Sequence, residues 1–254
     1  MRFRPCIDLH DGQVKQIVGS TLSDSGAPVT NFIAGQDSAY FAGLYRENDL
    51  PGGHVIMLGK GNEDAALRAL KAYPGGMQIG GGLDDTNGFE YLDAGASHLI
   101  FTSFAVADGL LRMDRICRLN KVYGREHIVL DLSCRKKNDG KYYAVSNRWQ
   151  TFTDIEVNSE TLEKLSAYAG EFLIHAVDVE GKQCGIDEEL LQILSCCSSI
   201  PVAYAGGIKS FSDLEKINQY GNGRIDFTIG SALNIFGGCL DFNEVVKWSK
   251  KEKI

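Results

Sequence analysis

The chain predicts a single (β/α)8 barrel, and three observations predict it. Short apolar runs alternate with amphipathic helical stretches, the pattern of parallel βα units. Matching segments recur about half a chain apart, as two duplicated half-barrels require. The length of 254 residues is that of one barrel, and 44% hydrophobic residues can fill its core.

Strand-like runs lie at 3–9, 54–58, 77–79, 98–101, 127–132, 171–176, 201–204 and 226–229. Between them, "NEDAALRALKAY" from Asn62, "SETLEKLSAYA" from Ser159 and "DEELLQILS" from Asp187 each open on a capping or acidic residue. In "GGIKSFSDLEK", Ser212 and Glu215 read as a capping box, with Leu214 and Ile217 forming the apolar stripe. No stretch reads as an interdomain linker, so 1–254 is taken as one domain. The longest irregular segments, 11–30 and 133–158, follow strands one and five and are expected to be active-site loops.

The repeat is specific. "MQIGGGLDD" at 77–85 parallels "VAYAGGIKS" at 202–210, and "LIFTSFAV" at 99–106 parallels "DFTIGSAL" at 226–233. Asp8 in "PCIDLHDG" parallels Asp131 in "IVLDLSCR". Offsets of about 123–128 residues place the half-barrels at approximately 1–125 and 126–254. Each glycine pair stands between a strand end and a helix start, where backbone amides can hold a phosphate, and barrels commonly bind phosphate after strands seven and eight. Side chains alternate along a strand, so Cys6 shares a face with Asp8 and Val129 with Asp131. Both acids sit at C-terminal strand ends, and strands one and five oppose each other in a closed barrel. Two carboxyls across one mouth suit a general acid and a general base.

A net charge of −7 and a pI near 5.3 provide no basic footprint for nucleic acid. No apolar run approaches the roughly 20 residues of a membrane span. "MRFRPCIDLHDG" lacks the apolar region of a secretory signal, and seven cysteines without a regular framework point to reduced thiols. A cytoplasmic location is expected.

These motifs, with "CIDLHDGQVKQIV", "QIGGGLDDTN", "IVLDLSCRKKNDG", "NRWQTFTD", "EFLIHAVDVEG", "YAGGIKS" and "TIGSALNIFGG", cover nearly the whole chain. Together they resemble the phosphoribosylformimino-5-aminoimidazole carboxamide ribotide isomerases of histidine biosynthesis, in their eukaryotic-type branch. The resemblance implies an aldose–ketose isomerase performing an Amadori rearrangement, a substrate carrying two phosphates, and no metal or organic cofactor. It casts Asp8 as general base and Asp131 as general acid. Gly81, Gly82, Thr102 and Ser103 would hold one phosphate, and Gly206, Gly207, Gly230 and Ser231 the other. Trp149 matches a loop tryptophan that covers the substrate base, and His54 a histidine near the site. Arg135, Lys136 and Arg148 are basic residues placed to meet a phosphate.

Two departures stand out. Many relatives carry an arginine after the first glycine run, where this chain has Leu83, Asp84 and Asp85. Bacterial members orient the acid with a threonine after strand six, where this chain has His175-Ala176-Val177, leaving Asp178 or Ser133 as partners for Asp131. Three alternatives share parts of the pattern. They are the cyclase subunit of imidazole glycerol phosphate synthase, phosphoribosylanthranilate isomerase with Cys6 as base, and a non-catalytic phosphate-binding barrel. "CRKKNDG" and "NRWQTFTD" favour the ribotide isomerase. The internal pseudo-symmetry fits a monomer.

Overall fold

A computed structural model describes residues 1–17, 30–147, 149–182, 184–196 and 199–251. Eight parallel strands form the barrel, and only these are numbered. They are β1 (Cys6–His10), β2 (Gly53–Met57), β3 (Met77–Gly80), β4 (Leu99–Phe101), β5 (Ile128–Asp131), β6 (Glu171–His175), β7 (Val202–Ala205) and β8 (Ile225–Thr228). Each is followed by a helix: α1 (Ser38–Glu47), α2 (Glu63–Ala72), α3 (Gly88–Asp93), α4 (Met113–Tyr123), α5 (Ser159–Ser166), α6 (Glu188–Ser195), α7 (Phe211–Tyr220) and α8 (Phe242–Lys251). The ring closes where Phe3 pairs in parallel with Phe227, with Arg4 N donating to Phe227 O at 2.9 Å and Phe227 N to Arg2 O at 3.0 Å.

The predicted alternation holds. Ile7, Leu9, Ile128 and Leu130 face outward into the main core beneath the helices, while Ile100, Val129, Leu173, Ala203 and Ala205 form a second, inner cluster. Below that cluster the interior is polar. Arg4 Nη1 donates to both oxygens of Glu171 at 2.7 and 2.8 Å, and Arg4 Nε donates to Asp226 at 2.7 Å. Gln78 adds a bond to Glu171 at 2.9 Å.

Four local expectations are corrected. The capping box of α7 is Ser210 with Asp213, two residues earlier than Ser212 and Glu215, because Phe211 already packs on the core and starts the helix there. The segment 133–158 is not irregular: it forms an antiparallel sheet of Cys134–Lys136, Tyr142–Ser146 and Thr151–Glu156. Likewise 11–30 opens as a hairpin strand, Gln13–Ile17, which pairs with both β1 and Thr30–Ile33, while 18–29 lie outside the described residues. Asn62 lacks the side-chain cap its position at α2 suggested. Its side chain instead accepts from Gly12 N at 2.8 Å and donates to Gly59 O at 2.9 Å, tying the β1 and β2 loops together.

Replacing Arg4 leaves two buried carboxylates facing each other without a cation, so Arg4→Met is expected to cost about 3–5 kcal/mol. Urea unfolding checks this. A loss below about 1 kcal/mol would show that the floor does not depend on the guanidinium.

Candidate active site

A cavity of about 650 Å³ opens at the C-terminal ends of the strands, and both aspartates line it. Asp131 ends β5 and is buried. Three donors converge on its carboxyl: Ser133 Oγ at 3.1 Å, Thr102 Oγ1 at 3.1 Å and, as an ion pair, His175 Nδ1 at 3.1 Å. Ser133 is therefore an orienting partner, as anticipated, whereas Asp178 is not, since Arg135 holds it. His175 and Thr102 were not foreseen in this role. Period two along β6 points Glu171, Leu173 and His175 to one face, so His175 was legible as an inward residue; its reach to Asp131 on the neighbouring strand was not. Thr102, expected in a phosphate cradle, lines the cavity with its hydroxyl engaged on Asp131.

Asp8 has a different setting. Gln16 Nε2 donates to its Oδ2 at 3.0 Å, from the hairpin strand that pairs with β1. Burial, and then the nearby Glu180 carboxyl, push the Asp8 pKa up to about 7 against the pull of His175 and Gln16. Glu180 lines the same cavity with a buried Oε2 that has no hydrogen-bond partner, and burial raises its pKa too. Burial by itself would lower the pKa of His175. The charge and hydrogen bond of Asp131 outweigh it and lift His175 to about 9, so the ring is a cation at neutral pH. His54, 6.5 Å from His175 between ring centroids, is driven down to about 3 by burial and then by that cation. It is a neutral ring at the cavity wall. Glu180 and Gln16 escaped the sequence reading because nothing local marks them; only the fold turns them toward Asp8.

The glycine pairs match each other closely. Gly81 and Gly82 have φ of +100° and +72°, and Gly206 and Gly207 have +130° and +74°, a region costly for any residue with a Cβ. A Cβ on Gly81 would collide with the Met57 carbonyl, and one on Gly206 would come within 2.9 Å of the Ala176 carbonyl, so each pair tucks under the end of the preceding strand. A Cβ on Gly207 would strike the Gly185 backbone, whereas Gly82 has nothing within 4 Å. Ser103, Gly230 and Ser231 also line the cavity. Trp149 does so from the turn after Tyr142–Ser146, at φ +68° and 6.2 Å from the His175 ring.

Arg135 is not a cavity residue. Its Nε donates to Asp178 at 2.8 Å and its guanidinium lies 5.4 Å over the Phe152 ring, because the antiparallel sheet after β5 turns it away from the mouth. Lys136 is held by Glu189 at 2.5 Å. Arg148 lies outside the described residues. Cys6 sits at the cavity floor and is 3% exposed; burial and the charge of Asp8 raise its thiol pKa well above the ordinary value, so it is no base.

If Asp8 must be ionised to act, kcat/KM rises with pH around a midpoint near 7. In Glu180→Gln the negative neighbour is gone and the Asp8 pKa falls, so that midpoint moves about one unit toward acid. A pH–rate profile checks this, and an unmoved or alkaline-shifted limb would contradict it.

A sequence model of a family described as histidine biosynthesis protein matches residues 2–238. Curated relatives agree along their length. A Neurospora crassa protein is 50% identical, covering 99% of this chain and 99% of its own. One from Saccharomyces cerevisiae is 45% identical with 99% of each chain covered. A Medicago truncatula protein named as chloroplastic is 49% identical over 100% of this chain and 83% of its own. All three are named 1-(5-phosphoribosyl)-5-((5-phosphoribosylamino)methylideneamino) imidazole-4-carboxamide isomerase.

Proposed function

The chain belongs to the histidine biosynthesis protein family, and from that membership we infer that it is the isomerase its relatives are named for. It converts the aminoaldose ribotide to the aminoketose by an Amadori rearrangement. The observation that carries the mechanism is the pair of carboxyls, Asp8 and Asp131, on opposite strands of one cavity with unlike surroundings.

Asp131 is the acid of our scheme. A proton delivered to the furanose ring oxygen breaks the C1′–O bond, and the nitrogen lone pair forms the C1′=N Schiff base. That proton starts on the charged ring of His175, bonded to Asp131 at 3.1 Å, and passes through the Asp131 carboxyl to the ring oxygen, which leaves His175 neutral. Asp8 is the base. It removes the proton from C2′, the electrons of that C–H bond move to C1′=C2′, and the enolamine tautomerises to the C2′ ketone. Each such transfer typically contributes on the order of 10²–10⁴ in rate. A carboxyl held near 7 is a far stronger base than an ordinary aspartate and is still half ionised at neutral pH. The Gly82–Ser103 and Gly207–Ser231 mouths serve the two phosphates, and Trp149 covers the acid side, where it can exclude water.

Every residue of this scheme comes from one chain, so a monomer suffices. The six described cysteines are free thiols, in keeping with a reducing compartment such as the cytoplasm. We also propose the two-half-barrel division near residue 125, supported by the paired glycine geometry and by Asp8 on β1 and Asp131 on β5 lining one cavity.

The purified protein is expected to turn over the bisphosphate ribotide. Asp8→Asn and Asp131→Asn should each lower kcat by at least about 10²-fold with KM little changed, while Cys6→Ser keeps most of its turnover. A variant of either aspartate retaining more than a tenth of wild-type kcat would remove that residue from the scheme.

A further inference from the structure

The cavity has a charge deficit for its ligand. Three carboxyl groups line it, and among the described residues no lysine or arginine does. Backbone amides and hydroxyls alone would then face a phosphate dianion. Three cations of the surrounding loops are committed, with Lys15 on Asp11 at 2.8 Å, Lys182 on the Asp178 carbonyl at 2.7 Å and Arg135 on the Asp178 carboxylate.

Arg115 and Arg118 are placed differently. They stand one turn apart on α4 and flank the ring of Phe104, at 5.2 and 5.9 Å from its centroid. Phe104 follows Ser103, so both guanidinium groups are fixed beside the loop after β4. Arg118 Nε also reaches Asp85 at 3.1 Å, three residues beyond Gly82 in the loop after β3. Arg115 has no carboxylate partner among the described residues; its Nη1 meets only the Phe104 carbonyl, at 3.5 Å. The two arginines therefore bridge the loops that carry Gly82 and Ser103. Asp84, by contrast, is used up within its own turn by Thr86, through the backbone N–H at 2.7 Å and the hydroxyl at 2.6 Å.

Resting on the reading of Gly82–Ser103 as a phosphate mouth, we propose that Arg115 and Arg118 supply the positive charge for that phosphate and so set the enzyme's demand for a phosphorylated substrate end. Asp85, in the loop after β3, holds Arg118 of α4 in place beside that loop. The Arg118–Asp85 pair is solvent-exposed, with the arginine side chain 54% accessible, and such pairs hold weakly enough for a phosphate dianion to compete. Stacking on Phe104 keeps each guanidinium oriented, which suits bidentate recognition of phosphate oxygens. Arg115 and Arg118 bind a group remote from the reacting carbons, so their loss acts on KM and leaves kcat in place.

Steady-state kinetics of Arg115→Ala, Arg118→Ala, Arg118→Lys and Ser103→Asp, at low and high ionic strength, test the proposal. Each alanine variant is expected to raise KM about tenfold with kcat within twofold, and the lysine variant to recover part of the loss. The double alanine variant should lose most of the salt dependence of KM. Ser103→Asp probes the mouth itself, because it places a carboxylate against the phosphate and should raise KM at least as much. If Ser103→Asp raises KM while the arginine variants leave it unchanged, the mouth stands and the arginine clamp is wrong. If none of the variants moves KM, the phosphate lies elsewhere and the proposal falls with the mouth.

Discussion

The guanidinium of Arg4, buried between the carboxylates of Glu171 and Asp226, ties the first barrel strand to the sixth and the eighth. The active-site geometry depends on that closure. Once the ring is shut, β1 and β5 stand opposite each other, and the period of two that turns Arg4, Cys6 and Asp8 inward carries the third of them to the mouth. Along β5 the same count carries Val129 to the inner cluster and Asp131 to the rim. Charge pairs fill the floor, an apolar layer separates it from the mouth, and the carboxyls of Asp8 and Asp131 form the top layer.

That layering explains the electrostatics. Burial and the Glu180 carboxyl raise the affinity of Asp8 for a proton, and burial and Asp131 raise that of Glu180, each against the opposing pull of the charged His175 ring. A lysine on the cavity wall would pull the Asp8 pKa down and weaken it as a base. Among the described residues no lysine or arginine lines the cavity, and the charged His175 ring that does is bonded to Asp131. His54, driven neutral, fits the same rule, since it fills the wall without adding charge.

Much of this was legible in the chain. Strand positions followed from apolar runs, and the two aspartates and four turn glycines followed from the repeat, because each rests on spacing within one segment. What escaped depends on contacts between segments. His175 lies 44 residues from Asp131, and its meaning appears only when β5 and β6 pair. Arg135 sits in the right loop, but an antiparallel sheet aims it at Asp178, and alternation in "YYAVS" and "TFTDIE" was the signal for that sheet. The α7 cap moved by two residues because Ser210 and Ser212 are equal candidates until the packing of Phe211 selects one.

The division of labour between the two aspartates is tested most directly by the kinetic isotope effect on substrate deuterated at C2′. With Asp8 as base, Asp8→Asn makes C2′ proton removal rate-limiting, and the effect should grow beyond the wild-type value. With Asp131 as acid, Asp131→Asn makes ring opening limiting, and the effect should collapse toward unity. The reverse pattern, a larger effect in Asp131→Asn and none in Asp8→Asn, would contradict the assignment and exchange the two roles.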